Sequence, residues 1–318
     1  MTTAFVFPGQ GSQAVGMGRA LAQAFPMARR VFEEVDDALG EKLSEVIWEG
    51  PLDRLTLTEN AQPALMAVSL AAMRVLETEA GLVLARDVAY VAGHSLGEYS
   101  ALAAAGSLSI ADSARLLRIR GCAMQKAVPV GAGAMAALLG LEFGVAEAIA
   151  AEGAAGAVCQ AANDNGAGQV VVSGDKAAVE RAVELAKAKG AKRAMLLPVS
   201  APFHCALMAP AAEAMAEALA AVTIRRPSVP LVANVKAAAV TDPGEIARLL
   251  IAQVTGTVRW RECVAYMASH GVIQFCEVGA GKVLSGLIRR IATGAAATAS
   301  GTPEDIEAFV SSRARSFA

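Results

Sequence analysis

Val88-Ala89-Tyr90-Val91-Ala92-Gly93-His94-Ser95-Leu96-Gly97-Glu98-Tyr99-Ser100-Ala101-Leu102-Ala103-Ala104-Ala105-Gly106 passes from an apolar, partly β-branched run into an alanine-rich one. The first half has the character of a buried strand and the second that of a helix, and G-x-S-x-G stands at the junction. A strand that turns sharply into a helix lifts the side chain at the turn out of the sheet and aims the helix N-terminus at whatever it meets. Ser95 is therefore a candidate nucleophile. In a chain with 29 glycines the pentapeptide alone could be chance; the flanking strand and helix give it weight.

The same alternation recurs outward from this stretch. Thr3-Ala4-Phe5-Val6-Phe7 reads as a first strand and runs into the loop Pro8-Gly9-Gln10-Gly11-Ser12-Gln13. Ligands in parallel α/β sheets bind beyond the carboxyl ends of strands, so this loop and Ser95 can share a crevice. Helical character follows to about Leu39, and again from a cap at Asn60 toward Leu76. Ser109-Ile110-Ala111-Asp112 opens a helix to about Lys126. On it, Arg115 and Arg118 fall on the polar side, whereas Arg120 has Leu116, Leu117, Ala123 and Met124 around it and points inward. A buried guanidinium needs an anion, supplied either by an internal carboxylate or by a ligand carboxylate held bidentately.

From Gly131 the elements shorten. Strands at 134–139, 157–162, 169–173 and 193–199, with helices at 144–152 and 176–189, make a βαββαβ order, the ferredoxin-like arrangement. Asn163-Asp164-Asn165-Gly166 joins the two central strands; Asp164 and Asn165 are assigned to the turn, and Asn163 at the strand end is free to face a cleft. The insert leaves through Pro198-Val199-Ser200-Ala201-Pro202-Phe203-His204, whose prolines stiffen the approach to His204, and a helix is expected from Cys205 to Val222. Of the three histidines, His270 sits before Gly271 as a helix C-terminal residue and His94 adjoins Ser95, which leaves His204 as the candidate base. Further strands are expected at 230–235 and 273–278, with a helix from Pro243 ending near Gln253. Gly279-Ala280-Gly281-Lys282-Val283 fails the spacing of a phosphate-binding loop. A flexible tail at 294–302 and a final helix from Thr302-Pro303 complete the reading.

Composition excludes several classes. A net charge of −2 with 4% aromatic residues gives neither the basic stripe nor the stacking platform of a nucleic-acid binder. Prolines interrupt the longest uncharged run and the first residues lack a basic leader, so a cytoplasmic location without membrane span is expected. Five cysteines without a C-x-x-C pair point to free thiols and no metal site.

With Phe7-Pro8-Gly9-Gln10-Gly11-Ser12-Gln13, Gly93-His94-Ser95-Leu96-Gly97-Glu98, Arg120-Gly121, Ser200-Ala201-Pro202-Phe203-His204 and Val278-Gly279 in order, the chain resembles the malonyl-CoA:acyl carrier protein transacylases. The resemblance spans about residues 4–292 and extends to acyltransferase domains of polyketide synthases. It implies an α/β fold in two parts: a larger α/β-hydrolase-like part with a mainly parallel sheet, residues 1–126 and 200–318, and a ferredoxin-like insert, residues 127–199. It further implies Ser95 as nucleophile, His204 as base oriented by a backbone carbonyl near Gln253, and backbone N–H groups of Gln10 and Leu96 as oxyanion hole. Arg120 is implied to hold the malonyl carboxylate, with His94 and Asn163 as further substrate-binding positions. A monomer acting on a coenzyme A thioester and an acyl carrier protein, without metal or cofactor, is the corresponding expectation. A serine hydrolase shares the nucleophile but has no need of an inward arginine, and a non-enzymatic acyl-binding protein is the other reading. Lys187, Lys189, Lys192 and Arg193 are either a docking patch for an acidic carrier or a solvated charge run.

Overall fold

The computed structural model describes residues 2–316; Met1, Phe317 and Ala318, which the sequence reading places in the larger part, lie outside the described residues. Ten strands form two sheets among these residues. The first sheet holds β1 (Thr3–Phe7), β2 (Tyr90–Gly93), β7 (Leu231–Ala233), β8 (Ala238–Val240), β9 (Gln274–Val278) and β10 (Ala296–Ser300), in the order β10-β9-β1-β2-β7-β8. Every pairing is parallel except β7 with β8. β1 lies at the centre and Ala4 to Phe7 are all buried, as a strand covered on both faces by helices requires. The helices Thr58–Glu79, Gly97–Ala104 and Ile110–Lys126 pack together over this sheet, and the first of them is buried almost all round up to Leu76.

The second sheet is antiparallel: β3 (Gly133–Leu139), β4 (Cys159–Asp164), β5 (Gln169–Asp175) and β6 (Arg193–Leu196), in the order β4-β5-β3-β6. Helices Phe143–Ala154 and Lys176–Ala188 follow β3 and β5, completing βαββαβ. The period of two separates its faces. Ala136, Leu138, Val170 and Val172 join a core with Ile149 and Val179 of the two helices, while Met135, Ala137 and Val171 look into a cavity shared with the first sheet. The second sheet is tied to the larger part where Val258, between the helices Pro243–Thr255 and Trp260–Ser269, donates its N–H to Ala162 O (2.8 Å) and accepts from Asp164 N (2.9 Å).

Four local expectations are corrected. The second long helix starts at Thr58, not Asn60; Asn60 lies inside it, donating to Arg54 O (2.8 Å) and accepting from Arg118 (2.6 Å). Residues 296–300 of the supposed flexible tail are β10, in register from Ala296 beside Gln274 to Ser300 beside Val278. Alanine, threonine and serine gave that strand no apolar signature, and its order comes from the ladder to β9. After His204 the chain makes a 3-10 turn at Ala206–Met208 before the helix Ala209–Ala220, with Pro210 in the helix's first turn where its missing N–H costs nothing. Asn165 does more than turn the chain, as described below. Four short helices and β8 went unidentified. No helix among the described residues is long and apolar enough to cross a membrane.

Candidate active site

Ser95 stands between β2 and the helix Gly97–Ala104 with φ 53°, a left-handed conformation rare for a side-chain-bearing residue. Glycine on either side permits it. A Cβ on Gly93 would lie 1.9 Å from the Gly97 carbonyl carbon, and one on Gly97 would lie 2.3 Å from Phe7 O, so strand, turn and helix touch backbone to backbone. Among the described residues no side chain caps the start of this helix.

The fold brings His204 to this turn from a distant segment. Its Nε2 is 2.7 Å from Ser95 Oγ, and its Nδ1 is 2.8 Å from the backbone O of Gln253 in the helix Pro243–Thr255. A carbonyl only accepts, so Nδ1 carries the proton and Nε2 is left to accept the Ser95 hydroxyl. His204 also has positive φ (59°) and is 4% exposed. Burial and the nearby Arg120 charge push its pKa down to about 3, and the bond to Gln253 O opposes them in part. The ring is thus neutral at ordinary pH and competent to take a proton.

Arg120 is 1% exposed and reaches the same point. Its Nη2 donates to Ser95 Oγ (3.0 Å) and Gln253 Oε1 (2.8 Å), its Nη1 donates to Gln62 Oε1 (2.7 Å), and its Nε is unpartnered among the described residues. The guanidinium carbon lies 5.9 Å from the centre of the Tyr99 ring. All these partners are neutral. Of the two anions left open by the sequence, the internal carboxylate is not in contact: Glu98 reaches Arg120 only through the Gln253 amide. A cation this deeply buried, with no directly bonded carboxylate among the described residues, has the chemistry to take an anionic ligand.

These groups face a cavity of about 420 Å³ between the two sheets. Gln10, His94, Leu96 and Asn163 line it with Ser95, His204 and Arg120, whereas Gln253 stands behind His204 and outside the lining. Gln10 Oε1 accepts from Thr58 Oγ1 (3.0 Å), which accepts in turn from Gln62 Nε2 (3.0 Å), linking the first glycine-rich loop to Arg120. His94 Nε2 is 2.9 Å from Asn165 Oδ1, so the residue assigned only to a turn also joins the two sheets at the cavity wall. His270 behaves as read: its Nδ1 meets Tyr266 O at the end of the helix Trp260–Ser269. Of the charge run, Lys187 and Lys189 are ion-paired with Glu184 and Glu152.

Four polar residues of the site escaped the sequence reading. Asn234 Oδ1 accepts from Ser95 N (2.8 Å) and its Nδ2 donates to Gly93 O (2.8 Å), bracketing the turn. Glu98, 1% exposed, accepts from Asn234 N and from Gln253 Nε2, each at 2.5 Å. Burial pushes its pKa up to about 8, while these two N–H donors and Arg120 pull the other way. Gln62 and Asn165 complete the set. The signal was present for two: Asn234 interrupts an apolar strand, and Glu98 is an acid in an otherwise apolar helix.

Residues 4–311 match the family described as the acyl transferase domain. The "Malonyl CoA-acyl carrier protein transacylase" of Escherichia coli (strain K12) is 46% identical over 305 residues, covering 96% of this chain and 97% of the relative. The crystal structure of the acyl-carrier-protein S-malonyltransferase from Bartonella henselae superposes with a TM-score of 0.96 at 58% identity, covering 99% and 100% of the two chains. A malonyl-transacylase solved in complex with a type II polyketide synthase acyl-carrier protein superposes at 0.94 with 41% identity, over 98% and 100%. Sequence and fold agree, and the chain belongs to the acyl transferase domain family.

Proposed function

We propose that this protein transfers the malonyl group from malonyl-CoA to the phosphopantetheine thiol of an acyl carrier protein, through an ester on Ser95. The observation that carries the substrate choice is Arg120, buried among neutral partners with its Nη2 3.0 Å from the nucleophile. A malonyl thioester has one free carboxylate two bonds from its reacting carbonyl, which suits a guanidinium beside Ser95. The similarity to the Escherichia coli transacylase and the Bartonella henselae malonyltransferase points the same way.

In this scheme His204 Nε2 takes the hydroxyl proton as Ser95 Oγ attacks the thioester carbonyl. The backbone N–H groups of Gln10 and Leu96 receive the oxyanion. Collapse breaks the carbon–sulfur bond, coenzyme A leaves with the proton from His204, and malonyl remains on Ser95. The carrier thiol then gives its proton to His204, attacks the ester, and regenerates the serine in a ping-pong cycle. His94 and Asn163 line the acyl site, and Gln253 holds the imidazole through its carbonyl. No cofactor or metal enters the scheme. A monomer in the cytoplasm is the form proposed.

Intact-mass measurement tests this reading. Malonyl-CoA is expected to add one malonyl group to the wild type and none to Ser95→Ala, and holo-acyl carrier protein is expected to discharge it onto its own thiol. No adduct on the wild type, an adduct on Ser95→Ala, or discharge to water at the same rate without carrier overturns it. Arg120→Ala is expected to slow malonylation by about 100-fold while leaving acetylation from acetyl-CoA nearly intact, because only malonyl loses a charged partner. Equal loss with both donors removes the carboxylate clamp.

A further inference from the structure

Among the described residues, Glu98 is the one fully buried carboxylate in hydrogen-bond contact with the site residues that the scheme above does not use. It is the second residue of the Gly97–Ala104 helix, and taking a carboxylate out of water at this depth is costly unless its neighbours answer the charge. Both of its close partners are pure donors: the backbone N–H of Asn234 on one oxygen and the Nε2–H of Gln253 on the other. Two N–H donors and no acceptor favour the ionised form, in opposition to the burial that raises its pKa to about 8.

Each partner goes on to hold reacting groups. Asn234 uses its side chain to bracket the turn at Gly93 O and Ser95 N. Gln253 gives its backbone O to His204 Nδ1 and its Oε1 to Arg120 Nη2. The orientation of the Gln253 amide is decided at Glu98. With Nε2 on the carboxylate, and within 3.0 Å of Ser95 O, the amide oxygen is left for the guanidinium; the flipped amide would set N–H groups against N–H groups at Arg120. Glu98 is also the acid whose field acts on Arg120.

We propose that Glu98 is a positioning residue for the transfer, which fixes the Gln253 amide and Asn234 and through them keeps His204, Arg120 and Ser95 in register. It touches no substrate. The inference rests on the reading of Ser95, His204 and Arg120 as the acyl-transfer machinery. A helix-start carboxylate of purely structural value would lower stability when replaced, without altering the kinetics of the molecules that remain folded.

The test is Glu98→Gln, read by circular dichroism and by single-turnover acylation of Ser95 with malonyl-CoA and with acetyl-CoA. An amide in place of the carboxylate cannot accept from both donors, so Gln253 must flip or let go. Per folded molecule, the saturated malonylation rate is expected to fall about 100-fold, the order associated with misplacing reacting groups by an ångström. The malonyl-CoA concentration giving half that rate should rise, since Arg120 loses its hold. With acetyl-CoA, which has no carboxylate to clamp, only the rate should fall. Glu98→Asp keeps a carboxylate that can accept from both donors, and is expected to hold malonylation within about tenfold of the wild type. A folded Glu98→Gln protein acylating within twofold of the wild type overturns the proposal. So does a folded Glu98→Asp protein as slow as Glu98→Gln. Absence of acylation in the wild type would instead sink the transferase reading itself, so the two failures are distinct.

Discussion

Two strand-to-helix junctions of the parallel sheet are built alike and used oppositely. β2 turns at Ser95 into Gly97–Ala104, and β9 turns through Gly279 and Gly281 into Val283–Ile291; the Ser95 turn and the second helix border the cavity, and each junction carries a buried glutamate. At the second, Glu277 reaches forward and accepts from Leu284 N (3.1 Å) and Ser285 N (2.7 Å), spending its charge on the helix N-terminus. That helix gives the cavity only the side chains of Val283, Leu284 and Leu287. At the first, Glu98 points away from its own helix start, toward Gln253 and Asn234, and no described side chain caps the helix that follows Ser95. An N-terminus filled by a carboxylate becomes a wall; one left without it can serve an incoming anion.

The comparison can be broken at its backbone first. Gly93→Ala places a Cβ 1.9 Å from backbone that cannot retreat, and is expected to abolish soluble folded protein, measured by yield and circular dichroism. Gly281→Ala at the other junction meets Ser12 Cβ at 3.3 Å with φ +80°; a cost of about 1–2 kcal/mol from left-handed strain is expected, seen as a few degrees in Tm. Comparable loss at both sites would mean the tight contact at Gly93 is not what separates the junctions.

Glu277→Gln sharpens the contrast with Glu98→Gln. An amide cannot accept from both Leu284 N and Ser285 N, so a loss of about 1–3 kcal/mol is expected in a denaturant melt, with the acylation rate of folded molecules unchanged. A slowed acylation would show that both glutamates serve the reaction.

The smallest effect is one of pH. His204, held down to about 3 by burial and Arg120, stays neutral until the pH falls toward that value, so protonation of the base should take nothing from kcat/KM for acylation between about pH 6 and about 5. A tenfold fall per pH unit across that interval would contradict the buried, charge-opposed ring. The sign for stability is the same. The unfolded histidine takes up its proton near 6.5 and the folded one does not, so this ring's contribution is full above 6.5 and drains away as pH falls toward 3.

Legibility in the sequence followed the range of the interaction. Ser95 was visible because its turn is made by neighbours within two residues. Arg120 was visible because a helical period of 3.6 puts it among Leu116, Leu117 and Met124, and His204 because few histidines compete with it. β10 was missed because Ala296-Ala297-Thr298-Ala299-Ser300 has no apolar alternation and is ordered only by pairing with β9. Asn165 was taken for a turn residue since its partner, His94, lies 71 positions away. Gln62 and Asn234 carry nothing in their own segments that names Arg120 or Ser95 as their contacts.

By itself the sequence determined the alternation of strands and helices, the βαββαβ insert, the sharp turn at Ser95 and the inward face of Arg120. All of these are set by local propensity and by periods of two and 3.6 residues. Only the tertiary structure decided that Arg120 has no directly bonded carboxylate, and that Glu98 faces Gln253 and Asn234 where Glu277 faces its own helix. The physical reason is that a buried charge is fixed by whichever donors the packed fold places within 3 Å of it, and those come from segments up to 155 residues distant, as Gln253 is from Glu98.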